Sequence, residues 1–249
     1  MRFHLHTDIG HDPDDVVALC YLIENGYIPT SISISPGYVQ QMGIVQGIFE
    51  NYDLELPKGY RSKPSDSLKY VYGPHSKLTQ PWSLELMCED LKDCVIECDS
   101  ALVIGPAINL GGRLVADRMV FQGGYSPNSI NPLEKFKGQM SVQSFNPSGA
   151  KKDFASLRDS KDIKRKYYVG KNVCHGFTKA DLGGWSPTPK VLKDFYGDLP
   201  MAKAMHDLLA AKMLINPQMG IWEKAKPVFI DGLKMSTEYT DENIYTLIG

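Results

Sequence analysis

The sequence is poor in paired cysteines, in long apolar runs and in excess charge, and each shortage argues against a class of protein. Its five cysteines are an odd number and form no CxxC pair; Cys88, Cys94 and Cys98 lie close together without zinc-ligand spacing. That pattern speaks against a disulfide framework or a structural zinc site, and a reduced, cytoplasmic compartment is expected. The longest helical apolar run, Val16 to Ile23, has eight residues, too few to cross a bilayer, so no membrane association is expected. Residues 2–7 already have the pattern of a strand rather than of a signal peptide. Lys and Arg number 27 against 29 Asp and Glu, a net charge of −2. No basic stripe offers itself to a nucleic acid, and the densest basic run, Lys161 to Lys166, is expected to be a solvated helix end.

What the sequence has instead is acid, concentrated at one point. In His6-Thr7-Asp8-Ile9-Gly10-His11-Asp12-Pro13-Asp14-Asp15 a short apolar strand runs into four carboxylates within eight residues, and an apolar helix follows at once. Carboxylates crowded where a buried strand meets a helix repel one another and lose hydration. The fold tolerates that if they cap the helix or if a cation sits among them. Capping accounts for Asp12, a good N-cap ahead of Pro13 at the first helical position, and for part of Asp14, which with Asp15 complements the helix dipole. Asp8 lies too far back to cap. Its carboxylate is expected in the crevice at the carboxyl end of a sheet, where open α/β folds bind ligands. A hard cation shared by Asp8 and Asp15 would relieve the repulsion.

The rest of the chain gives that point a frame. Residues 2–7 are expected as a buried strand and 14–25 as a helix closed by Asn25-Gly26. Residues 31–35 alternate as a second strand that breaks at Pro36-Gly37, and 40–52 suggest a second helix. This β-α-β-α order implies an α/β fold with an open, mostly parallel sheet and right-handed crossovers. Residues 58–80 have the composition of a long surface loop, and residues around 82–93 that of a helix. Strands at 101–104 and 119–122 stop at Gly105-Pro106 and Gly123-Gly124, which is how a ligand crevice is built from loops. Residues 107–112 start a helix or turn, 125–148 are loop-rich, and 167–169 form another strand. Residues 201–214 make an amphipathic helix with His206 and Asp207 beside its apolar stripe, and 227–247 add one or two strands. With no repeat or linker, residues 1–249 are expected as one domain.

Taken in order, the opening acids, Gly105-Pro106-Ala107-Ile108-Asn109-Leu110, Gly123-Gly124, Phe145-Asn146 and His206-Asp207 resemble the motifs of the nucleoside hydrolases. The similarity is to the branch whose first motif runs D-I-G-x-D-x-D-D, and Ile34-Ser35-Pro36-Gly37 and Lys171-Asn172-Val173-Cys174-His175-Gly176 are also similar to it. The resemblance implies a Rossmann-like domain with one Ca²⁺ per subunit, hydrolysing the N-glycosidic bond between ribose and a base. It implies that Asp8 ligates the metal and serves as general base on water, and that Asp15, Asp207 and the backbone carbonyl of Ile108 are further ligands. Asp14 would accept from a ribose hydroxyl, Asn146 would hold the sugar, and His206, or else His175, would assist the leaving base. Asn172 and His175 would either join the substrate site or brace a loop. A homodimer or homotetramer is implied in the same way. The chemistry suits these residue types: anions around the sugar stabilise an oxocarbenium-like transition state.

Three places depart from the commoner pattern, the first being His6, where many relatives have another Asp. Tyr38 stands where ribose-binding relatives offer Asn or Asp, and Gln143-Ser144 stand where a Glu reaches the sugar 5′-hydroxyl. Loss of that anion suits a 5′-substituted or phosphorylated substrate, or a weaker grip. Two other readings follow: a nucleoside- or nucleotide-binding homologue with little or no catalysis, and a metal-dependent phosphohydrolase. The latter needs a second acid two residues after its nucleophilic Asp, and Gly10 occupies that place. His6, inside a strand, is expected as a hydrogen-bonded core residue, and Cys174 as a small packed one.

Overall fold

The computed structural model describes residues 1–10, 12–62, 88–182 and 184–249. The structure is organised around β1 (Phe3–Thr7), all five of whose side chains are buried. In order across the main sheet run β4 (Cys88–Asp90), β3 (Lys58–Arg61), β2 (Ser31–Ile34), β1, β5 (Ile96–Val103), β6 (Leu114–Gln122), β8 (Ile163–Val169), β12 (Ile244–Leu247) and β9 (Trp222–Glu223). Every pairing is parallel except that of β12 with β9. A second sheet carries β10 (Ala225–Asp231), β11 (Lys234–Tyr239) and β7 (Val142–Gln143). The helices are α1 (Asp14–Glu24), α2 (Val39–Asn51), α3 (Phe145–Gly149), α4 (Lys151–Asp159), α5 (Lys171–Cys174), α6 (Lys190–Gly197) and α7 (His206–Ile215). Among the described residues no helix is long and apolar enough to cross a membrane.

A parallel sheet covered on both faces needs apolar side chains on both, and the period-2 alternation supplies them. Leu5, Ile32, Leu102 and Val120 pack with Val16, Leu19, Ile48, Leu208 and Leu214 on the α1, α2 and α7 side. Ala101, Val103, Met119, Phe121 and Tyr168 pack with Phe154 and Leu157 of α4 on the other. This is the open, mostly parallel α/β architecture that the order of elements predicts.

The face of β1 opposite Leu5 holds His4 and His6, and their hydrogen bonds have one consistent direction. The Pro106 carbonyl, 2.8 Å from His6 Nε2, can only accept, so that nitrogen carries the proton and Nδ1 is the acceptor. Ser33 Oγ therefore donates to His6 Nδ1 at 2.7 Å and accepts from His4 Nε2 at 2.8 Å. Ser31 Oγ completes the series by donating to His4 Nδ1 at 2.9 Å. Burial holds both rings neutral, pushing His4 down to about 3 and His6 to about 4. The series ends on Pro106 and so ties the loop after β5 to the centre of the sheet.

Four local expectations are corrected. The run Lys161 to Lys166 is not a helix end but leads into β8, where Lys166 is buried with its ammonium donating to the Ser160 carbonyl at 2.6 Å. Within the expected 58–80 loop, Lys58–Arg61 is strand β3, paired with β2 and β4; residues 63–80 lie outside the described residues. In place of a helix, residues 88–90 are a strand and Leu91–Asp93 a 3₁₀ turn, while 82–87 again lie outside. The helix expected over 201–214 begins only at His206. The turn at 107–112 puts Asn109 in the left-handed region, at φ 63°, with its N–H donating to Asp153 at 3.1 Å.

Candidate active site

Three elements meet at the carboxyl end of β1. The strand delivers Thr7 and then Asp8. The N-terminus of α1 delivers Asp14 and Asp15, and the N-terminus of α7 delivers His206 and Asp207. Thr7 Oγ1 donates to the Asp15 carboxylate and accepts from the Ile9 N–H at 3.0 Å, fixing the strand to the helix. The backbone N–H of His206 donates to Asp14 Oδ2 at 3.1 Å, joining α7 to α1 across 192 residues of sequence. Gly105 passes so close that an added Cβ would lie 2.5 Å from the Asp8 nitrogen and 2.8 Å from Asp8 Oδ1. Only glycine permits that approach.

The result is an acid cluster inside the protein. Asp14 and Asp15 are each 2 % exposed, Asp207 5 % and Asp8 7 %. Asp14, Asp15 and Asp207 each bring a carboxylate oxygen within 4.8 Å of the others. Burial is the first cause, and the neighbouring carboxylates the second, of the protonation they favour. Asp8 is pushed up to about 8, Asp14 to about 6, and Asp15 and Asp207 well above the usual carboxylate range. Lys203 answers one charge, with Nζ 2.7 Å from each Asp12 oxygen, and partly offsets the rise at Asp14. Thr7, the helix N-termini and one ammonium are too little for five acids. An all-oxygen donor set of this density fits a hard divalent cation such as Ca²⁺ or Mg²⁺ and lacks the nitrogen or sulfur that softer metals favour.

Above the acids lies a cavity of about 260 Å³ lined also by Asn146, His175, His206 and Gln122. The Asn146 amide donates to the carbonyls of Ile104 and Gln122 and to Gln122 Oε1, at 2.7, 3.1 and 2.7 Å. It is therefore rigidly set. The rings of His175 and His206 lie 4.6 Å apart at 55°, and the Nε2 atom of each is buried without a hydrogen-bond partner among the described residues. Burial, and the nearby lysines, push His175 down to about 3 and His206 to about 4, so both are neutral.

No family model matches the sequence. A protein of Aquifex aeolicus (strain VF5), described only as uncharacterized, is 23 % identical over 250 residues, spanning 90 % of this chain and 85 % of that one. Among solved structures, an inosine-uridine preferring nucleoside hydrolase from Bacillus anthracis superposes with a TM-score of 0.72 at 12 % identity, covering 100 % of this chain and 94 % of that one. A purine-preferring ribonucleoside hydrolase from Gardnerella vaginalis gives 0.67 at 15 %, covering 100 % and 93 %. The chain has the nucleoside hydrolase fold. An effector protein shares it more loosely, with a TM-score of 0.59 at 13 % identity over 96 % of this chain and 87 % of that one.

On this nucleoside hydrolase fold most of the residues singled out from sequence converge. Asp8, Asp14, Asp15, Asn146, His175, His206 and Asp207 all line the one cavity. Two do not. Ile108 does not line the cavity, and its carbonyl accepts from Ser62 Oγ at 2.6 Å; Ile104, just after β5, does line it. Asn172 braces a loop: its Oδ1 accepts from the Ser126 N–H at 3.2 Å and its Nδ2 donates to the Leu247 carbonyl at 3.0 Å. Asp12 is not the cap of α1, because its carboxylate is turned to Lys203 and α1 has no side-chain cap. Cys174 is packed as expected, fully buried, its thiol pushed up to about 12 by burial. Sequence reasoning missed Gln122, Lys171 and Lys203. Gln122 is legible as the last residue of a strand before Gly123-Gly124, and Lys171 as the first residue of the Lys171–Gly176 segment; Lys203 carries no local signal.

Proposed function

We propose that this protein is a divalent-cation-dependent N-ribosyl hydrolase, with Ca²⁺ as the ion, that splits a nucleoside or nucleoside-like ribosyl compound into base and sugar. The observation that carries the reading is the meeting of Asp207, from the start of α7, with Asp14 and Asp15 of α1 beside Asp8. Asp8, Asp15 and Asp207 would hold the cation, together with the backbone at Ile104. When bound, the ion neutralises the acids, engages sugar hydroxyls and lowers the pKa of water. Asp8 sits at the strand end, pinned by Gly105, as the base that takes a proton from attacking water. Asp14, held by the His206 N–H, accepts from a ribose hydroxyl. The summed negative charge favours the positive charge that develops on the sugar ring. His206 is neutral, so it assists the leaving base by a hydrogen bond through Nε2, which has no partner among the described residues, rather than as a resting acid; His175 keeps the adjoining wall in place.

A screen of ribonucleosides, deoxyribonucleosides and their monophosphates for liberated base, with and without chelator, tests this. Cation-dependent release of base is expected. Tight ligand binding with no base released over hours would instead make the protein a binding homologue, and phosphate release without base release would make it a phosphohydrolase.

A further inference from the structure

The acid-lined cavity shares two of its lining residues, Lys171 and His175, with a second hollow of about 400 Å³ whose charge is of the opposite sign. Lys135, Lys171 and Lys234 line this hollow together with Gln143 and Ser141, and among the described residues no carboxylate does. The lysines come from three separate parts of the chain. Lys171 opens α5 and its Nζ donates to the Gln143 carbonyl at 2.7 Å. Lys234 stands directly across from Gln143 in the β11–β7 pairing. Lys135 donates from Nζ to His175 Nδ1 at 2.7 Å.

Nearby lysines outside the hollow have acid partners, Lys137 with Glu134 at 3.6 Å and Lys203 with Asp12 at 2.7 Å. Among the described residues none of the three inside it forms an ion pair. Burial, with the charge of Lys135 also counting against it, lowers the affinity of Lys171 for its proton. Lys171, half-buried, feels the charge of Lys135, and Lys234 adds an exposed ammonium to the rim; an external anion would relieve that repulsion. A neutral nucleoside has nothing to offer there.

We propose that this hollow is a phosphomonoester subsite, so that the substrate is a ribosyl compound phosphorylated on its 5′ carbon, of the nucleoside 5′-monophosphate class. The placement of the sugar rests on the hydrolase reading above: the 2′,3′-diol turns to the acid cluster and the base to His206, which leaves the 5′ carbon facing the mouth. Position 143 is then occupied by an uncharged Gln because a carboxylate there would repel the phosphate. The substrate is gripped at its two ends by opposite charges, which also fixes its orientation.

Titration calorimetry on the full-length, Ca²⁺-loaded protein with ribose 5-phosphate, ribose and inorganic phosphate tests the subsite without requiring turnover. Ribose 5-phosphate is expected to bind at least about tenfold more tightly than either of the others, as charge-assisted contacts would give. That advantage should shrink about tenfold in Lys234→Glu, an exposed substitution, and on raising salt from about 50 to about 500 mM. Lys234→Gln should fall between. Equal affinity for ribose and ribose 5-phosphate overturns the proposal, as does inorganic phosphate binding as tightly as the sugar phosphate, or indifference to both Lys234 variants. Paired assays of base release separate the two readings. Release from nucleosides with no gain from a 5′-phosphate sinks the subsite alone. Tight ribose 5-phosphate binding with no base released from any compound sinks the hydrolase and leaves the subsite standing.

Discussion

Two clusters of buried polar groups sit within a few residues of each other on β1, and they have been resolved in opposite ways. His4 and His6 enter a series in which every ring nitrogen has a partner of the right kind, ending on the Pro106 carbonyl. Asp8 enters a cluster in which Asp14, Asp15 and Asp207 are all of one sign and all raised in pKa. A satisfied buried network specifies structure; a buried group of like charge is a cost that protons or a bound cation relieve. The contrast separates architecture from site without appeal to any relative. It also predicts that deleting a member has opposite consequences for stability in the two places.

The largest effect is expected from Asp8→Asn. If Asp8 is the base, kcat should fall by roughly 10²–10⁴-fold. In the chelated protein the same change removes one charge from a repelling group, so the unfolding midpoint in urea should stay or rise at pH 8. Full activity in this variant ends the assignment of the base, and a collapse of the chelated fold ends the account of the cluster.

The next effect is the response to cation and pH. A carboxylate whose folded pKa lies above its unfolded one binds more protons in the folded state. Its contribution is therefore most favourable below the unfolded value and is lost as pH rises through the folded one. For Asp14 and Asp8 that loss runs from about pH 4 up to about 6 and about 8. The histidines run the other way: His4 and His6, lowered to about 3 and about 4, cost stability as pH falls below about 6.5, where the unfolded rings take up protons. Chelated protein should thus lose melting temperature between pH 6.5 and 8. The gain on adding Ca²⁺ should grow over that interval, because cation binding must displace protons. A Ca²⁺ gain in melting temperature that is the same at pH 5.5 and pH 8 would contradict the raised carboxylates.

The sequence shows the site better than its surroundings, for physical reasons. Acids crowded at the end of an apolar strand are costly without a partner, so they stand out in a linear reading; His206-Asp207 stands out through the family resemblance. The loop after β5 has no such mark: whether residue 104 or 108 lines the cavity depends on how the chain turns after Gly105. Asp12 looks like a cap because its spacing is right, yet Lys203, which captures it, lies 191 residues away. The lysines of the hollow are scattered at 135, 171 and 234; the docking of β11 against β7 brings in Lys234, and contacts with His175 and the Gln143 carbonyl bring in Lys135 and Lys171. Lys58–Arg61 is illegible as a strand because Lys-Gly-Tyr-Arg has too few apolar side chains to announce one; its pairing with β2 and β4 makes it one.

The smallest effect sharpens the comparison from its satisfied side. Ser33 Oγ is the single hydroxyl between two imidazoles, donating to His6 and accepting from His4. Ser33→Ala leaves His6 Nδ1 without a donor and His4 Nε2 without an acceptor in a site with 0 % exposure, where an unmet buried group costs about 1–3 kcal/mol. Urea unfolding should register a loss of that order with an unchanged slope. Kinetics should register much less, since the hydroxyl touches the cavity only through His6 and the Pro106 loop. Ser33→Thr, which restores the hydroxyl, should recover part of the stability. If Ser33→Ala is neutral, the directed series is not holding the strand, and the distinction between the two clusters loses one of its sides.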